Sequence, residues 1–141
     1  MPDMDLAVKW LDRAQKDYDF AAKIEKFFWP KDLEQICYHC QQATEKAFKA
    51  VLAYNEMEIP KIHIIWRLIE ACNRFGFSIA MDKKVAALIT DHATLSRYPD
   101  NMNEWTEADA KLALKYAKLT LETVNQYLAD SEKEQAKEIS E

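Results

Sequence analysis

Four polar side chains, His39, Gln42, Lys46 and Lys49, recur at steps of three, four and three. At 3.6 residues per turn this spacing draws one row along a helix and sets an imidazole, an amide and two ammonium groups side by side. Such donors suit an anion, phosphate above all. The plainer reading is a solvated face with Glu45 close by, the usual setting of lysines. A second set surrounds His63, with Lys61 before it and Arg67 one turn later. A helix starting there would offer unpaired backbone N–H groups to an anion, or His63 would serve only as its cap. The third set is Arg97-Tyr98-Pro99-Asp100. An arginine beside a tyrosine can clamp a phosphate and stack a base, or Asp100 can simply cap the chain or pair with Arg97.

Other chemistry is poorly supplied. Cys37 and Cys40 form a C-x-x-C around His39, but zinc needs a second ligand pair at usual spacing, and a redox pair needs a βαβ setting and a helix N-terminus. Two small buried thiols packing like alanine are expected, with no metal. His39, His63 and His92 have no serine or cysteine obviously paired with them, which nucleophilic catalysis requires. There is no glycine-rich phosphate loop and no H-E-x-x-H. No cofactor is implied.

The elements that must position these groups read as helices. One glycine and four prolines in 141 residues are too few for a turn-rich β protein. Asp3 is placed to cap a first helix to about Lys26, with Ala7, Leu11, Ala14, Tyr18 and Ala21 inward and Lys9, Asp12, Lys16 and Lys23 on the wet side. Phe27-Phe28-Trp29-Pro30 is an aromatic connection. Asp32 with Gln35 suggests the cap of a second helix, with the stripe Ile36, Cys40, Ala43, Ala47, Ala50 and Tyr54 and an end near Ile59-Pro60. A third runs from His63 to Phe75 and stops at Gly76, with Ile65, Leu68, Ile69 and Cys72 inward. Asp82 starts a fourth, ending before Pro99, and 97–104 is an irregular connector. Thr106 with Asp109 caps a fifth, striped by Ala110, Leu114, Ala117, Leu121, Val124 and Leu128. The expected fold is an all-α up-and-down bundle of about five helices, four main and one shorter, over residues 1–130, with a charged tail at 131–141.

Composition narrows the setting. The 49% hydrophobic content supports one substantial core. Net charge is −5, of which −3 falls on residues 130–141, so the body carries no basic field to recruit nucleic acid. Three cysteines give no disulfide framework, the opening MPDMDLAVKWLDR has no apolar core of the signal-peptide kind, and no apolar run approaches 18 residues. A cytoplasmic protein is expected.

The pieces together resemble the HEPN domain family (higher eukaryotes and prokaryotes nucleotide-binding). The matching stretches are WLDRAQKDYDFA at 10–21, ICYHCQQATEKAFKAVL at 36–52, Pro60-Lys61-x-His63, SRYPD at 96–100 and EADAKLALKYA at 107–117. The resemblance implies a small helical bundle that commonly forms a homodimer. It also implies, in many members, a minimal nucleotidyltransferase partner in toxin–antitoxin-like pairs. Other members are ribonucleases with an R-x4–6-H motif, one copy from each subunit. Here no arginine is followed by histidine at that spacing, and His92 precedes Arg97. The expectation is therefore a non-catalytic nucleotide-binding and interaction module. Lys46, Lys49, His63 and Arg97 would meet phosphate, Tyr98 would stack, and His39 and Asp100 would orient. Its rivals are a ribonuclease using His92 or His63 with Arg97, and a ligand-free partner protein docking through Phe27–Trp29.

Overall fold

The structure is a computed structural model that describes residues 1–93 and 105–140. Among the described residues it is all-α: α1 (Met4–Phe28), α2 (Leu33–Tyr54), α3 (Ile65–Asn73), α4 (Lys83–Asp91) and α5 (Glu107–Ser140). Local chemistry sets most of the starts. Asp3 accepts from the Leu6 N–H and Asp82 from the Val85 N–H. Thr106 and Asp109 exchange two reciprocal 3.0 Å bonds, a capping box that opens α5.

α2 is the centre of the bundle. α1, α3 and α5 all pack on it, so from Gln41 to Tyr54 only Gln42 and Lys46 escape burial. The sequence stripe accounts for one side of this helix, while contacts from three directions bury the rest. The core falls into two clusters. One is built of small residues, Ala21, Ala43, Ala110, Ala113 and Ala117 with Cys37 and Cys40, where α1, α2 and α5 approach closely. The other is built of large ones, Phe48, Leu52, Ile65, Leu68, Phe77 and Ile89, where α3 and α4 close over α2.

Several expected boundaries differ. α2 ends at Tyr54 rather than near Ile59-Pro60. Glu56 takes the left-handed region (φ 58°), and the Glu56 and Met57 N–H groups donate back to Ala53 and Leu52, a Schellman ending with glutamate where glycine is usual. Asp32 precedes α2 but is itself left-handed and makes no side-chain cap. α3 begins at Ile65, two residues after His63, and the Ile65 N–H goes to Thr90 Oγ1 at 3.0 Å. Gly76, at φ 80°, does take the left-handed turn after α3. α4 ends at Asp91 with His92 as its C-cap. α5 continues as helix through Ser140. The connector at 97–104 lies outside the described residues. No helix among them is long and apolar enough to cross a membrane.

Candidate functional site

The polar row of α2 meets two carboxylates. Asp17 of α1 faces His39 Nδ1 at 3.1 Å through one oxygen and accepts from Lys46 Nζ at 2.6 Å through the other. One turn further along, Glu45 faces His63 Nδ1 at 2.7 Å and accepts from Lys49 Nζ at 3.4 Å. Each carboxylate thus holds one lysine and one histidine. A carboxylate only accepts, so the neutral imidazole in each pair carries its proton on Nδ1 and leaves Nε2 as an acceptor.

The two triads differ in depth. Glu45 and Lys49 are both buried, Lys49 with only 7% of its surface exposed, and the Lys49 ammonium also lies 5.7 Å from the Trp10 ring centroid. Lys49 is therefore not on a solvated face; packing by α1 covers the side of α2 that carries it. In the outer triad Asp17, His39 and Lys46 remain partly accessible, and Phe20 sets its ring edge against His39 at 4.7 Å. His63 is the most open group, with 68% of its side chain exposed. It stands before α3 with its ring turned to Glu45 and does not act as a cap.

Charge in both triads balances when the histidines are neutral, one carboxylate to one lysine. An arriving anion must share or replace a carboxylate, and Lys46, His39 and His63 are the donors placed to do that. Lys49 stands behind Glu45 and contributes positive potential from within. Gln41 lies one turn before Glu45, fully buried, with its oxygen accepting from Gln42 at 2.7 Å.

Of the sequence-derived candidates, His39, Lys46, Lys49 and His63 gather along this face, while Arg97, Tyr98 and Asp100 lie outside the described residues. His92 is buried at the end of α4 with its ring 5.3 Å from that of Trp105. Cys37 and Cys40 are buried in the small-residue cluster. Burial first, then the neighbouring Cys37, Glu25 and Asp17, pushes the Cys40 thiol far up. Among the described residues no three His, Cys, Asp or Glu are grouped to hold a metal ion.

Asp17 was the organising residue that sequence spacing left out, though a signal exists. Trp10, Ala14, Asp17 and Ala21 step by four, three and four along the inner side of α1, so an acid stands at a core-facing position and demands a partner. Gln41, Glu45, Phe48 and Leu52 carry the same signature on α2.

Small-residue helix packing around a central α2, with histidines and lysines set beside it, defines a class of compact helical domains. The chain belongs to the HEPN domain family, whose sequence profile matches residues 7–127. It is similar in structure to TT1696 from Thermus thermophilus, known from a crystal structure, at 22% identity over 85% of this chain and 96% of that one, with a TM-score of 0.65. At that identity the likeness shows a shared fold. No curated protein matches the sequence.

Proposed function

We infer that the protein is a non-catalytic HEPN module that binds the phosphate of a nucleotide on the α2 face and works as a homodimer beside a minimal nucleotidyltransferase partner, in a toxin–antitoxin-like pair. The observation that carries the ligand part is the gathering of His39, Lys46 and Lys49 of α2 with His63 of the segment before α3, held in place by Asp17 and Glu45. Phosphate would take Lys46 and His39 from Asp17 and reach toward His63. Arg97 would be the further phosphate contact, Tyr98 the stacking ring and Asp100 an orienting group. The homodimer and the nucleotidyltransferase come from family membership alone.

The test is calorimetric titration with nucleoside mono-, di- and triphosphates. Binding should fall at least about tenfold in Lys46→Ala combined with Arg97→Ala, which removes two charge-assisted contacts. Unchanged binding in that variant makes the site wrong. Affinity capture from the native host, read by mass spectrometry, should return a nucleotidyltransferase.

One observation favours a second reading. The His63–Glu45 pair has the geometry of an imidazole oriented by a carboxylate, and His63 is open to solvent. RNA cleavage lost in His63→Ala would make the protein a ribonuclease with an atypical site. The buried His92 is closed to a substrate for that chemistry.

A further inference from the structure

The outer face of α1 carries a second periodic row. Lys9, Arg13, Lys16, Phe20, Lys23 and Phe27 step by four, three, four, three and four, and all six are exposed. The row is about 27 Å long at 1.5 Å per residue. None of its four cations is in an ion pair with a described residue, although Asp5, Asp12 and Asp19 flank it on one side. Phe20 and Phe27 are 50% and 68% exposed, an unusual outlay of aromatic surface for a solvated helix face.

A negative, elongated partner suits this row. Two copies of the row cannot cover each other, because that would set four cations against four. The same chain carries the complement. The last buried residue of α5 is Leu128, yet the helix continues to Ser140, a projection of about 18 Å. Asp130, Glu134 and Glu138 recur every fourth residue along it, with Glu132 on another side and Lys133 and Lys137 in the adjoining row. Ile139, 76% exposed, stands on the side of the helix opposite Asp130.

Its direction excludes its own row. α5 leaves the bundle at the end where α1 begins: the Asp3 N–H donates to the Tyr54 carbonyl there, and the Asn55 side-chain amide donates to the Tyr127 hydroxyl of α5 at 3.1 Å. Tyr127 of α5 packs its ring 6.4 Å from that of Tyr54 at this end, so the row runs back from it along the bundle while α5 continues past it. The projecting end therefore reaches such a row only on another molecule.

We propose that the acidic end of α5 docks on the α1 row of a second copy, with the exchange reciprocated across a two-fold axis. This rests on the homodimer part of the function proposed above and names the surfaces that make it. Asp130, Glu134 and Glu138 meet Lys9, Arg13, Lys16 and Lys23. Exposed ion pairs are individually weak and screened by salt, so the association is salt-sensitive.

The experiment is sedimentation equilibrium on the full chain, on a row variant (Lys16→Glu with Lys23→Glu), on an end variant (Glu134→Lys with Glu138→Lys), and on their equimolar mixture. Each variant alone places like charge on like and should lose at least about tenfold in dimer affinity. The mixture restores opposite charge at both contacts and should recover the dimer as a heterodimer, which a variant that fails to fold cannot do. Dimerisation unchanged in both variants overturns the docking and leaves the homodimer standing. A wild-type chain that stays monomeric removes the homodimer and the docking together. A labelled oligouridine that binds wild type but not the row variant, with dimer affinity unaltered, assigns the row to nucleic acid and overturns the proposal.

Discussion

Asp17 and Glu45 hold the same partners, a lysine and a histidine each, in opposite surroundings. Glu45 is a buried acid whose lysine is buried with it and whose histidine is open to water. Asp17 sits at the rim, with both partners partly accessible. Removing two charges from water costs several kcal/mol per ion, so the inner pair persists only while both members are present. The outer triad carries far less of that burden and is free to exchange partners. The inner triad is thus the scaffold of the site, and the outer one is where a ligand competes.

The strongest way to break this comparison is Glu45→Ala. It strands the Lys49 ammonium in the core and should cost about 3–5 kcal/mol in urea unfolding. Glu45→Leu combined with Lys49→Met removes both charges and should recover most of that loss. A double variant as unstable as the single would mean that Glu45 stabilises through His63 and not through its lysine.

Alkaline pH separates the two regions by their thiols. Burial pushes Cys72 from the ordinary 9.0 up to about 12, in the large-residue cluster where its thiol donates to the Phe48 carbonyl at 3.4 Å. Cys40, near Asp17, is pushed up further by burial and by acids. Burial also raises Tyr18 and Tyr54. In each case the folded protein keeps a proton that the unfolded chain releases. The contribution is whole below pH 9 and is lost as pH rises from about 9 through the folded value. Stability in urea should therefore fall steadily above pH 9. Cys72→Ala should flatten part of that fall, and a fall unaltered in both Cys72→Ala and Cys40→Ala would assign it to the tyrosines.

Legibility in the sequence followed the range of the interaction. The caps at Asp3, Asp82 and Thr106–Asp109 are local, and each is realised in the structure. The α5 stripe is a periodicity, and its residues are buried as spaced. The end of α2 was not legible, because a left-handed Glu56 carries no signal that a glycine would have given. Within the site, His39 and Lys46 could be placed on one row, since a row is a property of one helix. Their shared acid could not, because Asp17 is 22 residues from His39 and 29 from Lys46. The burial of Lys49 was hidden for a related reason: a second helix packs over a side of α2 that reads as polar.

The smallest effect expected is the most diagnostic for the outer triad. Asp17→Asn keeps the shape of the side chain but ends the charge that neutralises Lys46. Because Asp17 and its partners lie at the rim, the stability cost should be about 1 kcal/mol or less. Lys46 and His39 would then face outward without a competing carboxylate, and phosphate should bind more tightly than in the wild type, by about threefold to tenfold. The same substitution weakens binding if Asp17 instead orients Lys46 and His39 toward the ligand. Titration of a nucleoside triphosphate into the two proteins separates these cases by sign alone, and a decrease would move Asp17 from competitor to positioning residue.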